Sequence, residues 1–487
     1  MTAPTTRRIM ATALRRLAAF ARREAVFCAA ALCALVSACF VPPSAVYANY
    51  IDWNTLCILF ALMGVVSALR SCGVFSTLGG ILCRRLHSVR ALCAVLVALC
   101  FFFSMLITND VALLTFVPFT IALLAPVTDG DTVMRLVILQ TIAANTGSML
   151  TPLGNPQNLY LFQQLGLPLG RFLGIMLPYT ALSAALLATG LLLIQRRPQS
   201  MGAPKAHAGA ERNNTPIAAL ATSTRLARAV SSDKLRATGI TGNSEHTTHN
   251  DQPHIVPIAD AISGSTAPKD AIHAGTVTKP LRLPPLRHIH WRETGRALPI
   301  AARIGIYTAL FALCLLAVFR MVPKSTAAAV VCVTLLITDR AVLRTIDYML
   351  LLTFMAFFIF TGNIAQMEPL RAFLERTVGA HEFAAAVIVS QGISNVPATL
   401  LLHPFATDSH ALLVGVNVGG LGTLVASLAS LISYKLYAAH SGRAHLHETQ
   451  SFPSTGSYLI AFTLYNVVAL AAMIALYAVL RAAQITP

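Results

Sequence analysis

The chain is 487 residues long, 56% hydrophobic and only 11% charged, against about 25% charged in soluble globular domains. Apolar runs of about 20 residues recur along it, long enough to cross a bilayer as helices; this excludes a soluble domain and gives an all-α polytopic membrane protein. The net charge of +17 lies in segments that flank those runs, where it marks the cytoplasmic side of a membrane, so no nucleic-acid partner is expected.

Residues 1–24 form a basic N-terminus with Arg7, Arg8, Arg15, Arg16, Arg22 and Arg23, which the positive-inside rule makes cytoplasmic. A first transmembrane repeat covers 25–195, with apolar segments near 25–47, 51–70, 91–126, 133–164 and 170–195. The opening run contains Val36-Ser37-Ala38-Cys39, which resembles a lipoprotein cleavage box; a retained first span fits a polytopic chain better. The next span opens outside at Ile51-Asp52 and delivers Arg84, Arg85 and Arg90 to the cytoplasm, with 75–90 as an interfacial helix.

A straight helix over 91–126 would overshoot a hydrocarbon core of about 30 Å at about 1.5 Å per residue. Thr108-Asn109-Asp110 stands at its middle, so a re-entrant hairpin turning there is predicted. The segment 144–158 holds Gly147, Pro152, Gly154 and Pro156, which no continuous lipid-facing helix accommodates; it reads as a span broken halfway. Residues 196–298 are rich in Ser, Thr, Pro, His and charge, without apolar periodicity, and are predicted to be a disordered cytoplasmic loop. The histidines of that loop (His207, His246, His249, His254, His273, His288, His290) are too irregularly spaced for a metal site.

The second repeat covers 299–484, with apolar segments near 299–321, 325–338, 346–366, 383–406, 411–438 and 456–481. Arg340 and Arg344 fall inside, so Ile346-Asp347 opens a span that runs outward. A second hairpin, 383–406, has Ser394-Asn395 at its centre and should dip in from the outside.

Three blocks recur in order. IDWNTLCILFALM (51–63) matches IDYMLLLTFMAFF (346–358), TNDVALLTFVPF (108–119) matches SNVPATLLLHPF (394–405), and ANTGSMLTPLGNPQN (144–158) matches VNVGGLGTLVASLAS (416–430). That register sets Asn145 on Asn417, Gly147 on Gly419, Thr151 on Thr423, Asn155 on Ser427 and Asn158 on Ser430. Such repetition is an internal duplication. Its first block points inward in one half and outward in the other, so the two repeats have inverted topology, as in many secondary transporters.

Irregular backbone at membrane depth survives only when buried in protein or lining a wet cavity. At each tip one helix ends and another begins, and the new N-terminus offers free N–H groups to an anion. Tips meeting from opposite faces would form one site near the midplane. Thr108, Asn109, Asp110, Ser394, Asn395 and Thr399 are the candidate substrate-binding residues. Asp110, Asn145, Thr146, Thr151, Asn155, Asn417, Thr423 and Ser427 are the candidate groups for a coupling ion, since broken helices coordinate Na⁺ or line a proton path.

These motifs resemble the ion transporter superfamily, which contains citrate and dicarboxylate symporters, arsenite permeases and sodium/proton antiporters. FFFSMLITNDVALLTFVPF resembles its first hairpin, ISNVPATLLLHPF its second, and TPLGNPQNLYLF and GVNVGGLGTLVASLASLISY its broken helices. The resemblance covers about residues 50–195 and 299–440. It implies a secondary active transporter in the cytoplasmic membrane, moving a small anion or oxyacid with Na⁺ or H⁺, with no other cofactor, as a homodimer. The tips depart from the Ser-Asn-Thr of the dicarboxylate symporters: they read Thr108-Asn109-Asp110 and Ser394-Asn395-Val396. The Asn-Asp tip looks more like the arsenite-permease and general anion-permease branches. Asp110, an ionisable group near the midplane, is accordingly expected to couple a proton or cation, and it could also cap the second arm. Arsenite efflux and Na⁺/H⁺ antiport are the alternatives. No Lys or Arg falls within the motif blocks, which weakens citrate itself.

Asp52 and Asp347 are expected as helix N-caps. Gly415 and Gly419 suit close helix packing or local unwinding, and His403 should face water near a membrane exit. The ten cysteines form no CxxC or metal-ligand spacing and read as small buried hydrophobes. Neither a Walker A motif nor a catalytic constellation is present, so neither ATP-driven transport nor an enzyme is expected.

Overall fold

The computed structural model describes residues 24–196, 298–446 and 452–484, apart from Arg85, His87 and Val127, together with Arg15 and Phe20. The proposed loop over 196–298, with its histidines, therefore lies almost wholly outside the described residues, as does most of the basic N-terminus. The described chain is helical, and six of its helices are long and apolar enough to cross a membrane.

In chain order the main helices are α1 (Ala25–Ala38), α2 (Trp53–Ser71), α3 (Val74–Arg84), α4 (Val89–Phe103), α5 (Asn109–Leu124), α6 (Gly130–Gly147), α7 (Pro156–Leu165) and α8 (Leu169–Arg196). From residue 298 on come α9 (Ile300–Val318), α10 (Lys324–Thr338), α11 (Tyr348–Gln366), α12 (Glu368–Val378), α13 (Glu382–Ile393), α14 (Asn395–Leu402), α15 (Ser409–Val418), α16 (Leu428–Leu446) and α17 (Thr455–Ala482). The sequence α2 to α8 runs again as α11 to α17: a span, a short helix, two arms around a break, a helix interrupted at its middle, and a last helix of 28 residues each time.

Local chemistry sets the boundaries. Asp52 accepts from Thr55 N and Asp347 from Leu350 N, so each caps its span as expected. Pro156 occupies the first position of α7, where its missing N–H costs nothing, and Asn155 caps it through Asn158 N. The first span is shorter than the predicted 25–47: α1 stops at Ala38, just before Pro42 and Pro43, and lies along α11, where Asn363 Nδ2 donates to Ser37 Oγ and Tyr47 OH at 2.9 Å each.

Burial divides the helices into an inner and an outer set. Within the 18-residue apolar stretch of Gly130–Leu150, 89% of residues are buried, against 22% in the corresponding stretches of Ile300–Val318 and Thr455–Ala482. The strongly buried α6 is thus an axis around which both arms of the first hairpin pack. Gln140 of α6 pins them together: its Nε2 donates to Leu96 O of α4 at 3.1 Å and to Thr120 Oγ1 of α5 at 2.7 Å. The poorly buried helices expose Ile460, Leu464 and Val468, the apolar exterior expected of a lipid-facing helix. Cys83, Cys93, Cys100 and Cys314 are buried, Cys39 is exposed, and the other five lie between.

Candidate functional site

Both predicted tips coincide with helix breaks. Residues 104–108 separate α4 from α5, and Ser394 alone separates α13 from α14. Ser394 holds φ at +76°, a region that costs a non-glycine residue about 1–3 kcal/mol and survives only where the surroundings enforce it. Its own helix start supplies no side-chain cap bond, and Ser394 Oγ instead reaches Ala426 O at 3.4 Å.

Each tip is tied to the broken helix of its own repeat by the same pair of bonds. Asn109 N donates to Gly154 O, and Asn395 N donates to Ala426 O, both at 3.0 Å. Thr151 Oγ1 donates to Met105 O, and Thr423 Oγ1 donates to Gln391 O. The contact points also correspond: a Cβ on Gly147 would lie 2.6 Å from Ser104 Oγ, and one on Gly419 2.8 Å from Ser390 Oγ. Glycine at these two positions lets the interrupted helix press against the hairpin, which agrees with close packing at Gly415 and Gly419.

The two repeats then interlock reciprocally. Asn145, near the end of α6, accepts from Ser427 Oγ at 3.0 Å and donates from Nδ2 to Ser430 Oγ at 3.3 Å. Asn417, near the end of α15, donates to Asn158 Oδ1 at 2.6 Å and accepts from Asn155 Nδ2 at 3.4 Å. In the sequence register Asn145 falls on Asn417, Asn155 on Ser427 and Asn158 on Ser430. Each repeat's helix-end asparagine therefore inserts between the same two positions of the other repeat. Asn109 Nδ2 donates to Asn145 Oδ1 at 3.2 Å, which joins the first tip to this network. A Cβ on Gly420 would lie 2.7 Å from Asn395 Nδ2, which sets the second tip beside the end of α15.

The N-termini of α5, α7, α14 and α16 consequently gather around one buried group of Asn and Ser side chains. Helix N-termini carry partial positive charge, although Asn109 N, Asp110 N, Asn395 N and Asn158 N already donate within the protein. The arrangement can stabilise an anion with no cationic side chain among the named residues, while the amide and hydroxyl oxygens can ligate a small cation.

The candidate residues do not all present their side chains in the same way. Asn109, Asn145, Asn155, Asn417 and Ser427 form the network, and Thr151 and Thr423 anchor the tips. Thr146 and Thr399 are fully buried, and each spends its hydroxyl on a carbonyl four residues back in its own helix, Ile142 O and Asn395 O. Thr108 precedes α5 without a side-chain cap bond, and Asp110, half-buried, sits in the first turn of α5 with its N–H on Asn109 Oδ1.

Gln391 and Arg70 escaped the sequence reading. Gln391, just before the second tip, clamps the break after α15 by donating to Gly419 O and Leu421 O at 2.9 Å each and accepting from Thr423 N. Gly422, at φ +106°, has no room for a Cβ, which would lie 2.3 Å from Gln391 Oε1. Arg70, in α2, donates to Leu114 O of α5 at 3.3 Å. Leu114 O is the carbonyl that Pro118, lacking an N–H, leaves without its helical partner. The proline four residues on was the available signal. His403 differs from expectation: it is half-buried, with Nδ1 3.2 Å from Tyr160 OH and its ring edge-on to the Tyr160 ring. It faces a neighbouring helix because α7 packs against α14 there.

Comparison with known proteins gives a consistent frame. The family model described as "Citrate transporter" matches residues 10–432. The chain is similar to "Inner membrane protein YbiR" of Escherichia coli K12, 27% identical over 393 residues, which cover 79% of this chain and 80% of the relative. It is also similar to "Uncharacterized transporter MJ0456" of Methanocaldococcus jannaschii, 24% identical over 396 residues, which cover 80% of this chain and 82% of the relative.

Proposed function

The chain belongs to the citrate transporter family, and from that premise we propose that this multi-pass membrane transporter is a secondary active carrier of a small anion, inorganic or carboxylate, coupled to Na⁺ or H⁺. The observation that carries this reading is the gathering of four helix N-termini around the reciprocal Asn145 and Asn417 network. Substrate binds between the tips at Thr108-Asn109-Asp110 and Ser394-Asn395, where N–H groups and dipoles favour negative charge. Oxygens of Asn145, Asn155, Asn417 and Ser427 serve the coupling ion.

The matched bonds in the two halves support an origin by duplication. With the distribution of arginines they favour inverted repeats with re-entrant hairpins, the N-terminus and central loop in the cytoplasm, and residence in the cytoplasmic membrane. A homodimer follows from the superfamily resemblance.

Asp110 bears on both readings within the superfamily. A carboxylate in the first turn of α5 repels a bound anion unless a proton or cation neutralises it. Its presence also favours a second reading, arsenite efflux or Na⁺/H⁺ antiport. The test is uptake into proteoliposomes under imposed Na⁺ and then H⁺ gradients, with citrate, succinate, sulfate, phosphate and arsenite, comparing wild type with Asp110→Asn. Gradient-driven uptake of one anion that loses its coupling in Asp110→Asn supports the proposal. Cation exchange without solute uptake assigns the antiport reading, and unchanged coupled uptake in Asp110→Asn refutes the role of Asp110.

A further inference from the structure

A cavity of about 550 Å³ opens where the two halves meet, away from the tips. Its walls include Asp52 and Asn54 at the start of α2, Tyr160 and Gln163 of α7, Lys324 at the start of α10, and Thr361 of α11. The volume is in the range of small-molecule sites. Gln163 lies eight residues beyond Asn155, the cap of α7, so at about 1.5 Å per residue the cavity wall stands about 12 Å along α7 from the network. One helix thus connects two polar regions of the protein.

The charged groups around the cavity are not equivalent. Asp52 is fully engaged: Oδ1 accepts from Thr55 N at 3.1 Å, and Oδ2 accepts from Thr55 Oγ1 at 2.5 Å and from Gln164 Nε2 at 2.6 Å. Its charge is further offset by the N-terminus of the helix it caps. Arg320 engages the C-terminal end of α7 through Nη2, which donates to Gln163 O at 2.9 Å and Phe162 O at 3.4 Å. Lys324 lies in electrostatic range of both, yet makes no hydrogen bond or ion pair among the described residues. It is half-buried in the cavity wall. A partly desolvated ammonium with three donors and no hydrogen-bonded partner among the described residues suits a carboxylate oxygen, and the amides of Asn49 and Asn54 on the same wall offer further donors.

We propose that this cavity is a second solute site, distinct from the tips, in which Lys324 holds one carboxylate group of a small organic anion. The site stands on its own residues and does not depend on where the transported solute binds.

The test is equilibrium binding of radiolabelled citrate and succinate to the full chain in nanodiscs. The proteins compared are wild type, Lys324→Gln, Lys324→Arg and the double variant Asn109→Ala/Asn395→Ala. Saturable binding that persists in the double variant is expected, weakened about tenfold or more by Lys324→Gln, as for loss of one charge-assisted hydrogen bond, and restored by Lys324→Arg. Loss of binding in Lys324→Gln alone, with the double variant unaffected, would uphold this site and remove the tip site. Binding of either anion that is unchanged in Lys324→Gln, or absent from wild type and all variants, overturns the proposal.

Discussion

Asn145→Ala is the most informative single perturbation. It removes the acceptor used by Asn109 Nδ2 and Ser427 Oγ and the donor used by Ser430 Oγ. Asn145 is only 4% exposed, so water does not readily replace these partners. Leaving a buried polar group unpaired costs about 1–3 kcal/mol in soluble proteins. Side-chain hydrogen bonds between membrane helices measured by double-mutant cycles average about 0.6 kcal/mol and reach about 1.7. Three lost contacts at that scale total about 2–5 kcal/mol. A thermal unfolding assay on detergent-solubilised protein should show Asn145→Ala clearly destabilised. The cycle with Ser427→Ala isolates the link between repeats, with an expected coupling of about 0.6–1.7 kcal/mol. Strict additivity of Asn145→Ala and Ser427→Ala would refute the claim that this bond joins the two halves. The mirror cycle of Asn417→Ala with Asn155→Ala should also couple, across a longer bond of 3.4 Å, and so more weakly.

Two further perturbations probe the packing beneath the site. Gly147→Ala would force a Cβ to 2.2 Å from the backbone oxygen of Phe101, whereas at Gly419 the nearest atoms are the Ser390 side chain at 2.8 Å; Gly147→Ala should therefore depress the folded yield by size-exclusion chromatography far more than Gly419→Ala, and equal yields would contradict the geometry. Arg70→Met strips the donor from Leu114 O, a loss of about 1–3 kcal/mol. Pro118→Ala in that background restores an N–H four residues on, so the double variant should regain thermal stability that Arg70→Met loses.

Much of the fold was legible because membrane depth imposes rules that sequence obeys visibly. Prolines and glycines in 144–158 could not belong to a continuous lipid-facing helix, and the break falls between Gly147 and Pro156. Asp52 and Asp347 announced their caps by position alone. What stayed hidden depends on contacts between distant segments. Nothing local to Gln391 indicates that it clamps a loop some thirty residues away, as its bonds to Gly419 O and Leu421 O do. The hydroxyls of Thr146 and Thr399 look equally available in sequence, but a helical threonine readily bonds the carbonyl one turn back, and both do. The first span was overestimated because hydropathy alone runs past Ala38 to Tyr47, whereas Pro42 and Pro43 forbid helix there.

The departure from symmetry bears most directly on mechanism. Bonds at the two tips match residue for residue, from Asn109 N on Gly154 O against Asn395 N on Ala426 O to Thr151 against Thr423. At the next position the match fails: Asp110 faces no acidic counterpart, because the second tip carries Val396. A site built from neutral donors and helix ends adds no titrating group of its own to the binding of an anion. Placing one carboxylate at one of the two tips makes that binding conditional on a proton or cation arriving with the solute. On the proposed function, the duplication thus provides the anion site and the single acidic position provides its coupling. Installing the acid on the wrong tip, as Asp110→Val with Val396→Asp, should then preserve solute binding at saturating cation and shift the dependence on that cation. Equal cation dependence in wild type and the exchanged protein would instead assign coupling to the shared Asn and Ser network.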